Sequence, residues 1–147
     1  QMADPAAREA LRRAANRGPE VDLVRATAAI SLGCHGQAED QAALLALSGA
    51  SDQPLIVRLG AAEALITLGN PPSNLTDLIR QGLDHPRPRM RAEAACLAGA
   101  AGIPELSEDL QAALEKEESR LVQRELRSAL RNLRVDERMD PDSGLAP

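Results

Sequence analysis

The sequence predicts an all-α protein, an α-solenoid of about four stacked helical hairpins. Three observations carry that expectation: a repeat of constant length, a pair of alanines at the same place in each full copy, and apolar residues spaced at threes and fours. Val24-Arg25-Ala26-Thr27-Ala28-Ala29 aligns with Val57-Arg58-Leu59-Gly60-Ala61-Ala62 and with Met90-Arg91-Ala92-Glu93-Ala94-Ala95, each 33 residues on. Gly36, Gly69 and Gly102 close these copies at the same interval. A fourth copy, Val122-Gln123-Arg124-Glu125-Leu126, follows after 32 residues without the Arg or the closing Gly. A terminal copy, open to solvent on one side, is expected to be atypical. The 147 residues include no Phe, Tyr or Trp, so the core must be built from aliphatic side chains. The paired alanines let helix backbones approach closely, with Leu filling between them.

The elements follow in order. Asp4-Pro5 supplies a cap and a first helical residue for a helix over 5–17, with Ala7, Ala10, Leu11 and Ala14 as its inner stripe. A helix over 20–34 carries the first copy, and one over 37–49 turns Ala42, Ala43, Leu44, Leu45 and Leu47 inward. The helix over 54–69 uses Val57, Ala61, Ala64, Leu65 and Leu68, and Gly69-Asn70-Pro71 stops it. Ser73 or Asn74 introduces a shorter helix over 74–83, with Leu75, Leu78, Ile79 and Leu83 on one face. Helices over 87–101 and 104–116 repeat the pair, the second through Leu106, Leu110, Ala113 and Leu114. The last helix, 118–135, buries Val122, Leu126, Ala129 and Leu133. The repeat units therefore lie near 20–53, 54–86 and 87–117, with partial units at 5–19 and 118–135. Residues 1–4 read as an N-terminal extension or expression scar, and 136–147, rich in Pro, Asp and Gly, as a flexible tail.

Val-Arg-x-x-Ala-Ala-x-x-Leu closed by Gly follows a turn such as Ser51-Asp52-Gln53-Pro54 or Asp84-His85-Pro86. This pattern resembles the HEAT-like repeat of the phycobilisome-lyase type, a bacterial-type repeat, over residues 20–135. The resemblance implies a right-handed α-solenoid, an armadillo-like α/α superhelix, whose shorter second helices line a concave binding face. It says little about function, because that repeat serves many unrelated roles.

Composition excludes several function classes. The formal charge of −5 and the absence of rings argue against nucleic-acid binding, which needs neutralised phosphates and stacking surfaces. No run approaches the roughly 18 apolar residues of a membrane span, and the first thirty residues hold no signal-peptide core. Cys34 and Cys96 are far apart and form no CxxC pair, so neither a disulfide framework nor a structural zinc site is expected, and the expected compartment is the cytoplasm. Neither His35 nor His85 is followed by Glu, unlike the His-Glu iron ligands of deoxyhypusine hydroxylase, which is similar in repeat type. The HEAT-like DNA glycosylases use a basic concave face with aromatics, and a ringless array makes a poor pigment cradle for a bilin lyase. No Ser/His/Asp set, glycine-rich phosphate loop or HExxH pattern is present. The expectation is a non-enzyme with no cofactor and no metal. His35 takes the slot of Leu68 and reads as half-buried, His85 reads as solvated, and Cys96, aligned with Ile30, reads as core.

Two charged sets remain. Arg25, Arg58 and Arg91 recur with the repeat and read as structural braces, paired with Asp22, Asp52 or Asp84 in the turns before their helices. On the last helix Arg120, Arg124, Arg127, Arg131, Arg134 and Arg138 step by 4, 3, 4, 3 and 4 and share one face. The plain reading is a solvated outer face, and the functional one a docking strip for an acidic protein, with Arg chosen for carboxylate forks. Anionic lipid fits less well, since the spacing places no bulky apolar residue beside the strip to insert. Acidic residues gather on the second helices: Glu39 and Asp40, then Asp77, then Glu105, Glu108 and Asp109. With Arg80, the residues Asp77, Glu105, Glu108 and Asp109 are the candidates for a concave face that takes a basic peptide, although acids also favour helix N-termini. The expected role is a monomeric protein-interaction scaffold or adaptor with another protein as partner. The alternative is a non-catalytic-looking subunit of a heteromeric lyase or protein-modifying enzyme.

Overall fold

The structure, a computed structural model, describes residues 4–16, 22–35 and 38–139. Among them it is all-helical, with no strand. The helices are α1 (Pro5–Asn16), α2 (Asp22–His35), α3 (Ala38–Gly49), α4 (Leu55–Thr67), α5 (Leu75–Leu83), α6 (Pro88–Ala101), α7 (Ser107–Lys116) and α8 (Arg120–Met139). A 3-10 turn, Pro104–Leu106, leads into α7. All eight predicted helices are present. Residues 136–139, expected in the tail, continue α8 to Met139, while Gly36, residues 1–3 of the extension and 140–147 of the tail lie outside the described residues.

Local chemistry sets the helix ends. The Asp4 carboxylate accepts the Ala6 N–H at 3.2 Å, one of the orphan donors at the start of α1, and Pro5 fills the position where an N–H is not needed. At the end of α4 the Gly69 N–H reaches the Ile66 carbonyl at 2.9 Å and the Asn70 N–H reaches Leu65 at 2.8 Å. That pair of bonds is a Schellman cap, and it needs the left-handed Gly69, at φ 75°. Gly102, at φ 61°, ends α6 in the same way of turning.

The chain divides into two compact units, residues 1–78 and 79–147, with the boundary inside α5. In the first, α2 packs on α4, α1 on α2 and α3 on α4. Its core holds Ala28, Ala29, Leu32, Leu44, Val57, Ala61, Ala64 and Leu65, with Ala15 of α1 set against them. In the second, α6 and α7 pack on α8, and Ala94, Ala95, Leu110, Val122, Leu126 and Leu133 are buried.

The small residues bring backbones together at equivalent places. A Cβ on Gly33 of α2 would stand 2.5 Å from the Ala64 Cα of α4, and one on Gly99 of α6 would stand 3.0 Å from the Ala129 Cα of α8. Gly33 and Gly99 are two repeat lengths apart, and so, within a residue, are Ala64 and Ala129. The same crossing is thus built twice from the same columns of the repeat. Gly60 adds a second close approach in the first unit, where a Cβ would stand 2.8 Å from the Ala26 carbonyl oxygen.

Several expected faces are corrected. In α1 Leu11 and Ala14 pack against the core as expected, joined by the buried Arg8 and Ala15, but Ala7 and Ala10 are exposed. The helix is turned because Arg8 and Arg12 reach across to Asp40, which is fully buried on α3. In α3 the inner line is Asp40, Leu44, Leu47 and Ser48, and Ala42 and Leu45 face outward. Val24 is exposed although its counterparts Val57 and Met90 are buried. His35, the last residue of α2, is exposed. Cys96 is exposed too, because it falls on the outer line of α6 with Arg89, Glu93 and Ala100.

Candidate functional site

The repeating arginines brace the fold. Arg25 Nε donates to the Ala15 carbonyl at 3.2 Å, and Arg58 Nε donates to the Ser48 carbonyl at 3.2 Å. Each acceptor is the penultimate residue of the preceding helix, where unpaired carbonyls and the negative end of the dipole favour a cation. Arg25 also donates to Gln53, in the turn before α4, and lies 3.8 Å from Asp22. Arg91 is held most completely. Its Nε and NH2 donate to the two Glu117 oxygens at 2.7 and 2.9 Å, and its NH1 to the carbonyls of His85 and Pro86, each at 2.9 Å. The hydrogen bonds from Arg91 hold the Glu117 carboxyl below its usual range, with the Ser119 N–H assisting and burial opposing. The turn groups that receive these arginines are therefore Gln53, Glu117 and the His85 and Pro86 carbonyls, with Asp22 paired to Arg25 as expected. Asp52 is no partner of Arg58, and Asp84 pairs with Lys116 at 3.7 Å instead of with Arg91.

The arginines of α8 are placed differently. Val122, Leu126, Ala129 and Leu133 are buried against the rest of the second unit. Arg120, Arg124, Arg127, Arg131 and Arg134 are all exposed on the other side. Arg138 lies on the same helix, its side chain outside the described residues. Arg124 pairs with its neighbour Glu125 at 2.9 Å. No other described residue makes an ion pair or side-chain hydrogen bond with Arg120, Arg127, Arg131 or Arg134. From Arg120 to Arg134 the row runs about 21 Å along the helix.

Arg80 and Asp109 form an ion pair at 3.2 Å and line a small cleft of about 150 Å³ with Asp84 and Lys116, so charge there is matched within the chain. Glu105 is exposed in the 3-10 turn before α7, Glu108 in the first turn of α7, and Asp77 on α5. Glu39 is exposed, but Asp40 is buried under Arg8 and Arg12 and belongs to the packing of α1.

One feature of the α8 surface was not expected from the sequence. Between α6 and α8 a shallow cleft of about 450 Å³ is lined by Arg89, Ala92, Glu93, Cys96, Leu121 and Glu125. Leu121 is 47% exposed, so a bulky apolar residue does flank the arginine row. Its only sequence signal is that it lies off the stripe of Val122, Leu126, Ala129 and Leu133.

Among the described residues no three His, Cys, Asp or Glu side chains come together to hold a metal ion. No helix among them is long and apolar enough to cross a membrane. Comparison with models of known protein families finds no match, and comparison with curated proteins finds none either.

Proposed function

We propose that this chain is a HEAT-like repeat protein, a right-handed α-solenoid, that acts as an interaction scaffold or adaptor without catalysis of its own. It docks an acidic partner protein on the outer face of α8. The observation that carries this reading is the state of the α8 arginines: five exposed guanidinium groups in one row, four of them without a partner among the described residues. Solubility alone is served by charges of both signs dispersed over a surface. A single-sign row about 21 Å long, on a chain whose formal charge is −5, is a local field suited to steering and orienting an acidic surface. The recurrence of the Gly33–Ala64 crossing as Gly99–Ala129 supports the repeat reading on which the solenoid rests. Two exposed cysteines, in no disulfide, suit a reducing compartment such as the cytoplasm.

The test is affinity capture from extract of the source cells with the native chain and with R124E/R127E/R131E. Circular dichroism melts verify that the two are equally folded. Acidic proteins captured by the native chain and lost by the variant are the expected result. Retention of every captured protein by the variant overturns the assignment of the site.

A further inference from the structure

Resting on that reading, we infer that the partner element docked on α8 is itself an α-helix. It carries carboxylates in alternating four- and three-residue steps, and an apolar side chain flanking the first turn of that row seats against Leu121 and Cys96. The pitch of the arginines points to this geometry. From Arg120 to Arg134 they step by 4, 3, 4 and 3 residues, a rise of about 5 Å per step along the helix axis. A helix lying along α8 reproduces that rise when acids occupy i, i+4, i+7, i+11 and i+14, so each guanidinium meets one carboxylate in fork geometry. An extended peptide with acids on one side repeats about every 6.7 Å. Over four steps it runs about 6 Å ahead of the arginines, a full step out of register.

The cleft supplies a second, independent element. Leu121 stands about 60° round α8 from Arg124, so the cleft opens beside the N-terminal end of the row. The cleft is lined by Ala92, Cys96 and the half-exposed Leu121, with Glu93 and Glu125 beside them and the exposed Arg89 to neutralise Glu93 towards an acidic helix. Glu125, beside the row, is engaged by Arg124 at 2.9 Å and does not repel an approaching carboxylate unopposed. An acidic helix in register with the arginines therefore meets apolar surface beside the first turn of the row.

The probes are dye-labelled synthetic peptides of about twenty residues, long enough to match the row. The label sits on the peptide, because the chain itself contains no Trp or Tyr. The first peptide is an alanine-based helix with five Glu in the stated register and one Leu flanking the row, placed beside the first two or the last two Glu in separate versions. The second has the same composition with Glu distributed around the helix. The third replaces the Leu by Ser. Anisotropy titrations into the full chain are run at about 0.15 M salt, where generic attraction is largely screened. The register-matched peptide is expected to bind about tenfold tighter than the redistributed one and about tenfold tighter than the Ser version, with the Ser difference abolished by Leu121→Ser. Leu121 is half-exposed, so that variant is expected to melt like the native chain. Equal binding of matched and redistributed peptides overturns the inference, and so does indifference to the Leu. In both cases a loss of binding to R124E/R127E/R131E leaves the docking face itself standing. Equal binding of every peptide to that variant removes the docking face as well.

Discussion

Replacing Glu117 by alanine should lower the stability of the second unit by about 2–3 kcal/mol at neutral pH. The Glu117 side chain is 5% exposed and accepts Arg91 Nε at 2.7 Å, Arg91 NH2 at 2.9 Å and the Ser119 N–H at 2.9 Å. Removing one partner of a buried ion pair costs about 3–5 kcal/mol when the other charge is left uncompensated. Arg91 is 22% exposed and keeps two carbonyl acceptors, so water and backbone recover part of that loss. Glu117→Gln keeps one acceptor oxygen and should cost about 1 kcal/mol less. The pH dependence has a definite sign. Glu117 titrates below its ordinary value of 4.5 in the folded chain, so its contribution is full above that value and is lost as pH falls through the lower folded one. Arg91 is shifted upward by the same pair and stays charged throughout. Urea unfolding followed by far-ultraviolet circular dichroism should therefore show a native-to-variant gap that is full at neutral pH and closes in acid. A variant within about 0.5 kcal/mol of native, or a gap that survives acid undiminished, would refute the clamp.

The remaining predictions use the same unfolding assay. Gly33→Ala drives a Cβ to 2.5 Å from the α4 backbone and should cost about 3 kcal/mol, whereas Gly99→Ala, at 3.0 Å, should cost about 1 kcal/mol. Gly49→Ala, with nothing within 4 Å and no positive φ, should be neutral or stabilising by about 0.5 kcal/mol. Gly69→Ala, equally open but at φ 75°, should cost about 1 kcal/mol through its cap. Asp40→Ala leaves Arg8 buried without its carboxylate and should cost about 2–3 kcal/mol, with hydrogen exchange accelerated first in α1. R127E and R131E should each leave stability within about 0.5 kcal/mol of native while weakening an acidic partner.

The helices were legible because the repeat reports its own boundaries. The 33-residue interval, the Gly-Asn-Pro stop and the Asp-Pro start locate elements without knowledge of what they pack against. Faces were less legible wherever a long-range partner decides the rotation of a helix. Nothing near Arg8 in sequence shows that Asp40, 32 residues on, will bury it and turn Ala7 and Ala10 outward. Cys96 was misplaced because alignment to Ile30 identifies a column of the repeat, not the side it faces, and Ile30 is itself only half-buried. The arginine row was readable, since its spacing alone puts it opposite the apolar stripe of α8. The cleft beside it was not, because it exists only where Ala92 and Cys96 of α6 come against Leu121.

Two sets of arginine divide sharply by the partners their donors find. Arg91 spends donors on two carboxylate oxygens and two carbonyls, and Arg25 and Arg58 each hold the end of the preceding helix. A guanidinium so engaged has little left for a ligand, and its loss is a loss of stability. Arg120, Arg127, Arg131 and Arg134 engage no described residue, so their loss removes nothing that holds the helix in place. Reversing charge on the outer row and cutting the inner braces should therefore give opposite patterns. Outer-row variants change partner affinity at constant stability, with an effect that shrinks as salt rises. Brace variants change stability and affect affinity only as far as they unfold α8. An outer-row variant that unfolded the second unit would show that the row has structural partners after all, and the division between the two sets would fail.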